Sequence, residues 1–293
     1  TEFKDADPAT RQITLCNGGA MGVSQNCLAD LLPQLTNDNA QGEYYLPDLV
    51  GLAHGAGLST HLVMASDEDT LGVDGRVGQA KAEKLMQQRL RAGFLEVGVC
   101  MQDPDSVFFS FDTEVGDEVM IEPHVKINTG VRIGRGSHIK AFTHLEGVSI
   151  GEAAQIGPYA RLRPGTVVGN DAKIGNFVET KKAAIGDGAK ISHLSYIGDA
   201  ELGPQVNIGA GTITCNYDGF NKHMTIIRAG AFVGSNSSLI APVTIGAGAY
   251  VGSSTALSGD VADDALVVTR APERTIKGWG AKFRKKHQGK KGS

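Results

Sequence analysis

Aromatic side chains are scarce in this chain. Aromatic residues make up 6% of its 293 positions and include one Trp, whereas 39 positions are Gly. No run of 18 apolar residues occurs, and no cleavable signal pattern opens the chain, so we expect no membrane insertion. A core without many rings must be built from Ile, Val, Leu and Ala, with backbone packed closely at glycine. This composition favours a repetitive β architecture over a helical bundle.

Cysteine is also rare. The four cysteines show neither a CxxC pair nor the dense spacing of a disulfide framework; they are Cys16, Cys27, Cys100 and Cys215. We therefore expect free thiols in a reducing cytoplasm.

An internal repeat dominates the chain after about residue 97. Aliphatic residues recur every six positions, with occasional five-residue steps between runs. The 22 positions are Val115, Ile121, Ile127, Ile133, Ile139, Leu145, Ile150, Ile156, Leu162, Val168, Ile174, Ile185, Ile191, Ile197, Leu202, Ile208, Ile227, Val233, Leu239, Ile245, Val251 and Leu257. A helix face would recur at three, four and seven instead. Six residues suffice for a short strand and a turn, so three such units form one triangular coil. The pattern predicts a parallel β-helix with the aliphatic residues inside.

Three other segments differ from the repeat. A long polar interruption lies between Ile208 and Ile227, and such loops are commonly functional. Before the repeat, residues 79–91 predict a helix, and residues 28–35 and 46–53 are weaker helical candidates. We divide the chain into an incomplete α/β part at 1–96, a β-helix at 97–269 and a basic arm at 270–293. That arm carries net +8 against −4 for the whole chain, which leaves −12 elsewhere.

Three motifs resemble the acetyltransferase half of bacterial bifunctional glucosamine-1-phosphate N-acetyltransferase/N-acetylglucosamine-1-phosphate uridyltransferases. They are residues 157–165 (GPYARLRPG), 175–179 (GNFVE) and 207–219 (NIGAGTITCNYDG). Weaker similarity reaches residue 1, so the chain resembles such an enzyme truncated at its N-terminus. The resemblance implies a left-handed β-helix, a cytoplasmic homotrimer with sites between subunits, and no nucleic-acid partner. It implies acetyl transfer from acetyl-CoA to glucosamine 1-phosphate, on the route to UDP-GlcNAc, peptidoglycan and lipopolysaccharide.

The resemblance also assigns residues. The proton acceptor matches His193. The sugar-phosphate contacts match Arg163, Lys181, Tyr196, Asn207 and Lys222. The acetyl-CoA contacts match Ala210, Asn216, Tyr217, Ser235, Ser253 and Arg270, and Ser253 stands where an Ala is usual.

The uridyltransferase half is only partly matched. Its glycine-rich signature is absent from this sequence, so we expect uridyl transfer, and its need for Mg²⁺, to be lost. Glu2 and Asn17 match sugar-nucleotide contacts, and Asp74 stands where a metal-binding Asn is usual. Acetyl transfer itself is expected to need no metal.

The residues themselves fit this chemistry. Amide formation from a thioester needs a base near neutrality, which His193 can supply. Arg163 and Lys181 are separated by one full coil, so both can lie on one face and bind a phosphate. The alternative for each is a surface charge or a packing histidine.

Two other functions compete with acetyl transfer. A β-helix carbonic anhydrase would need three converging His ligands for zinc. His138 and His144 are six residues apart, so they lie on different sides of a coil. The spacing from His124 to either of them is not one full coil, so His124 does not stack on His138 or on His144. The remaining alternative is a structural or polyanion-binding β-helix that uses the basic arm and does not catalyse.

Overall fold

The structure of the protein, a computed structural model, describes residues 4–269 and 272–288. The chain divides into two compact units, with the division between Met86 and Gln87. Glu2 and Arg270, both assigned from the resemblance, lie outside the described residues.

The described part of the first unit consists of helices and connecting segments. The helices are α1 (Gln25–Leu31), α2 (Asp48–Gly55) and the beginning of α3 (Arg76–Glu96), with 3₁₀ turns at Thr10–Gln12 and Leu32–Gln34. All three helical predictions are confirmed, with bounds shifted by a few residues. No strand occurs among the described residues before Cys100, so the α/β character expected of this part is not seen there. A strand is stable only when a neighbouring strand pairs with its backbone N–H and C=O groups, and no such pairing is present among the described residues of this part.

The second unit is a parallel β-helix whose coils each contribute to three faces, here A, B and C in chain order. Face A contains β1 (Cys100–Met101), β3 (Met120–Ile121), β6 (His138–Ile139), β9 (Gln155–Ile156), β12 (Lys173–Asn176), β14 (Lys190–His193), β16 (Asn207–Ile208), β19 (Phe232–Val233), β22 (Tyr250–Val251) and β24 (Leu266–Val267). Every strand pairing among the described residues is parallel.

Faces B and C share two long strands that continue around a corner. Face B contains β4 (Lys126–Ile127), β7 (His144–Leu145), β10 (Arg161–Leu162), the first halves of β13 (Glu179–Ile185) and β15 (Tyr196–Leu202), then β17 (Ile213–Cys215), β20 (Ser238–Ile240) and β23 (Ala256–Leu257). Face C contains β2 (Glu114–Val115), β5 (Arg132–Ile133), β8 (Val148–Ile150), β11 (Thr166–Val168), the second halves of β13 and β15, β18 (Thr225–Ile227) and β21 (Val243–Ile245). A 3₁₀ turn (Pro104–Ser106) follows β1 within the first coil, and α4 (Trp279–Gln288) lies after the last strand.

The inward column confirms the register predicted from the six-residue period. Of the 22 aliphatic positions, all but the half-buried Val115 are buried. On face A, Ile139 pairs with Ile156 and Ile156 with Ile174, so a five-residue step shortens a coil without breaking the register. Thr180 and Thr214 occupy inward positions of face B, where neighbouring coils carry Leu or Ile.

The second unit begins with the last part of α3, which covers the first coil. Gln87 donates from Nε2 to the carbonyl of Phe109 at 2.7 Å and accepts from the Phe109 N–H at 2.9 Å. Arg91 donates from Nε to the Val107 carbonyl at 3.0 Å. These buried side chains satisfy backbone groups that the first coil would otherwise leave unpaired.

Candidate active site

His193 lies at the end of β14, where faces A and B meet. Its side chain is exposed, and it pairs in register with Asn176 of the coil before. Nδ1 of His193 lies 2.6 Å from Oδ1 of Asn176. An amide oxygen only accepts, so in the neutral form of the ring this contact requires the proton on Nδ1 and leaves the lone pair on Nε2. The ring therefore has a basic nitrogen that this hydrogen bond does not use.

Small residues continue the row from His193 along the β-helix axis. Ile191 pairs with Ile208, Ile208 with Val233 and Val233 with Val251. Two positions after each inward residue, the row therefore contains His193, Ala210, Ser235 and Ser253. Adjacent coils lie about 4.8 Å apart, so the row reaches about 14 Å beyond His193. Three of the positions predicted to contact acetyl-CoA share this row.

Face B carries two of the cationic side chains that the sequence predicted to bind a phosphate. Leu162 pairs with Thr180, so the following residues, Arg163 and Lys181, are also in register. The Arg163 guanidinium donates to Oε1 of Glu179 at 2.7 Å, and both side chains are about one-third exposed, at 32% and 34%. Arg has five N–H donors, so this ion pair leaves others for a ligand. Tyr196 pairs with Glu179 one coil further on.

The polar interruption of the repeat forms a loop that follows β17, the strand of this coil on face B. The buried Asn216 side chain donates to the carboxylate of Asp199 at the base of the loop. Tyr217 and Lys222 form an antiparallel bridge, and the Lys222 ammonium lies 4.6 Å from the Tyr217 ring centroid, a cation–π contact. The loop thus brings a third cation and two assigned residues to one edge of face B.

Asp218 organises the tip of this loop. Its carboxylate accepts from the backbone N–H groups of Asn221 and Phe220, each at 2.7 Å, and lies 2.7 Å from Nε2 of His223. These contacts, the Asn221 N–H first among them, hold the pKa of Asp218 well below its ordinary value of 3.8. The sequence assigned no role to Asp218.

The assigned residues are not all adjacent within one chain. The position of Lys181 aligns with Gly198, five residues after His193. Asn207 begins β16 on face A, on the other side of the corner from Tyr196. One chain therefore presents the site residues on two faces and a loop.

The two remaining candidates belong to the first unit. Asn17 is exposed, and its Oδ1 accepts from the Gly19 N–H at 3.1 Å. Asp74 is exposed as well. A Cβ at Gly18 would lie 2.5 Å from the Thr70 side chain, so the Asn17 segment passes close to the segment that leads to Asp74.

The described residues contain neither a cluster of metal ligands nor a membrane-spanning helix. Within residues 4–269 and 272–288, no group of three or more His, Cys, Asp or Glu side chains could hold a metal ion. His138, considered above as a zinc ligand, instead lies 2.7 Å from the Glu122 carboxylate. None of the helices described here has the length and hydropathy needed to cross a membrane. The four cysteines are free, as predicted.

Known proteins are similar to this chain both in the six-residue repeat and in the rest of the sequence. Residues 112–147 and 147–182 match the family model described as bacterial transferase hexapeptide (six repeats). The chain is 50% identical over 283 residues to "Bifunctional protein GlmU" of Jannaschia sp., covering 97% of this chain and 62% of that protein. It is 55% identical to the protein of that name from Rhodopseudomonas palustris, covering 97% of this chain and 63% of the relative. The resemblance seen in the sequence is confirmed.

The chain spans less than two thirds of the length of the relatives it matches. A solved structure of LpxA from Acinetobacter baumannii is 14% identical, covers 63% of this chain and 77% of that chain, and has a TM-score of 0.47. The hexapeptide match and the parallel register together confirm the predicted fold class, a mainly β chain built as a hexapeptide β-helix.

Proposed function

We propose that this chain is an acyltransferase that moves the acetyl group of acetyl-CoA to the amine of glucosamine 1-phosphate. The observation that carries the proposal is the position of His193. Its ring lies at one end of an axial row of small residues, with Nδ1 bonded to Asn176. The homologues named as bifunctional proteins and the hexapeptide repeat support the same reaction class.

In the proposed reaction, Nε2 of His193 accepts a proton from the amino group as nitrogen attacks the thioester carbonyl. A C–N bond forms, the C–S bond breaks, and the coenzyme leaves as a thiolate that takes up a proton. The base need only work near neutrality, which suits an imidazole. Every atom exchanged comes from the two substrates and water, and in this proposal His193 does its part without a metal.

The cations around face B would bind the sugar phosphate. Arg163 and Lys181 lie one coil apart, and Lys222 would add a third cation from the loop, where its ammonium lies over the Tyr217 ring. A guanidinium offers two parallel donors and an ammonium a compact charge, which together suit a phosphate dianion. Tyr196 and Asn207 would contact the sugar.

The axial row would accommodate the extended arm of acetyl-CoA. Ala210, Ser235 and Ser253 present small side chains over about 10 Å from first to last. Asn216 and Tyr217 would contact the coenzyme from the loop. Arg270 would meet its phosphates.

The spread of these residues over two faces supports a homotrimer whose sites lie between subunits. A second copy could bring its face A beside the first copy's face B and so complete the site. We also propose that the protein acts in the cytoplasm, and that residues 1–96, 97–269 and 270–293 are its three parts. Glu2, Asn17 and Asp74 would belong to the remnant of a sugar-nucleotide site in the first part. The alternative, a non-catalytic polyanion-binding β-helix, is not favoured by the homologues.

Acetyl transfer is tested by coenzyme thiol release with glucosamine 1-phosphate, glucosamine and glucosamine 6-phosphate as acceptors. We expect activity with the 1-phosphate, and a fall in kcat of roughly 10²–10⁴-fold in His193→Ala, the usual contribution of a positioned base. His124→Ala is the matched control, because His124 is an exposed histidine stacked on Phe142 at 4.9 Å on the same corner. Wild-type inactivity, or a folded His193→Ala variant within a few-fold of wild type, would reject the assignment.

A further inference from the structure

The geometry around His193 includes a side chain to which the sequence assigned no role. Asn176 lies one coil before His193, in register with it, and its Oδ1 is 2.6 Å from Nδ1 of the ring. Asn176 is half-buried, whereas the ring is exposed. In a neutral histidine, the hydrogen bond made by one ring nitrogen sets which nitrogen carries the proton.

The backbone holds both partners of this hydrogen bond in place. The Leu194 N–H donates to the Asn176 carbonyl at 3.0 Å. The His193 carbonyl accepts from the Ser195 hydroxyl at 2.8 Å and from the Gly211 N–H at 3.3 Å. Three successive coils therefore fix the backbone at the site, and among the described residues the hydrogen bond to Asn176 is the one that sets the ring.

The residue before Asn176 also contributes to this approach. A Cβ at Gly175 would lie 1.9 Å from the Ser192 carbonyl oxygen, a distance that no side chain tolerates. Glycine at 175 thus lets β12 and β14 approach closely enough for the amide of Asn176 to reach the imidazole.

We propose that Asn176 is a positioning residue that holds His193 in the tautomer protonated at Nδ1, with Nε2 free to act as the base. The proposal rests on the proposed function for its kinetic consequence, but the tautomer itself does not depend on any reaction. Without the Asn176 oxygen, either nitrogen can carry the proton and the ring can rotate. A fraction of molecules would then present an N–H where the base is needed.

The tautomer is tested first, by long-range ¹H–¹⁵N correlation spectra of the full chain above the titration range of histidine. The His193 signal is identified by its loss in His193→Gln. We expect the Nδ1–H pattern in wild type, and the Nε2–H pattern or an average in Asn176→Ala. An Nε2–H pattern in wild type would overturn the proposal, whatever the enzyme activity.

Kinetics then test the consequence. Asn176→Ala should lower kcat by roughly 10–100-fold, as loss of an orienting partner typically does, with KM for the sugar phosphate changed less than threefold. Asn176→Asp retains an acceptor for the Nδ1 proton, and at a pH where the ring is neutral it should stay within a few-fold of wild type.

The matched control is Asn128→Ala, which removes the amide from another cross-coil pair. Nδ2 of Asn128 lies 2.9 Å from Nε2 of His144 on face B. Asn128→Ala should leave kcat unchanged. Equal loss in both Ala variants, or wild-type kcat in Asn176→Ala, would overturn the positioning role. An Nδ1–H tautomer that depends on Asn176, in a chain without acetyl transfer, would support the positioning and reject only the proposed function.

Discussion

Replacing Ile174 with Ala probes the register of the inward column. Ile174 is fully buried and pairs with Ile156 before it and Ile191 after it, both also fully buried. Truncating a buried Ile to Ala costs about 2–5 kcal/mol, depending on how far the surroundings collapse. The neighbouring coils are fixed by backbone ladders on either side, so collapse is restricted. We expect about 4 kcal/mol, roughly 900-fold in the unfolding equilibrium constant.

Urea unfolding followed by far-UV circular dichroism, at one protein concentration, measures this loss. The control is Lys173→Ala, because Lys173 is the preceding residue of the same strand and its side chain is exposed. It should change stability by less than about 0.5 kcal/mol. Similar unfolding of both variants, or an Ile174→Ala midpoint equal to wild type, would show that Ile174 does not point into the column.

Three further outcomes follow from the site. Arg163→Ala should raise KM for the sugar phosphate more than it lowers kcat, because a phosphate contact acts in ground and transition states alike; Arg132→Ala, which breaks the exposed Arg132–Glu114 pair, should change neither. Acetyl transfer should survive EDTA, and a loss restored by a divalent cation would contradict the metal-free step. Since the pKa of Asp218 is lowered, its loop contacts should be present above pH 3.8 and be lost only as the pH falls through the lower, folded-state pKa. A carboxyl ¹³C titration checks this, and an ordinary Asp218 pKa would contradict the loop geometry.

The six-residue period predicted the β-helix because one aliphatic residue per strand is enough to set the register. It left two gaps, and both have a physical reason. Thr180 lies inward, and its hydroxyl is 3.1 Å from that of Thr166. The Thr214 hydroxyl contacts the Gly198 N–H at 2.8 Å and the Gly198 carbonyl at 3.0 Å. Thr180 immediately precedes Lys181 and Thr214 lies two residues before Asn216, so each gap in the aliphatic pattern lies close to an assigned site residue.

The candidate site was only partly predictable. The one-coil spacing of Arg163 and Lys181 predicted their register, which the strand pairing reproduces. Asn176 gave a weaker signal, since it pairs with His193 across a shortened coil, and only a coil with a five-residue side brings the two into register. The contacts of Asp218 depend on how a loop turns back on itself, and no period in the sequence encodes that.

The end cap formed by α3 has a consequence for how the solenoid opens. Gln87 and Arg91 hydrogen-bond to the backbone of Phe109 and Val107 in the first coil, so that end is closed by buried contacts. At the opposite end, Leu266 of β24 is 70% exposed. Stacked coils contact only their neighbours, so they can fray one at a time from whichever end is weaker. Amide hydrogen exchange should therefore slow progressively from β24 back toward His193. The coils at the far end of the axial row would be the first to unfold.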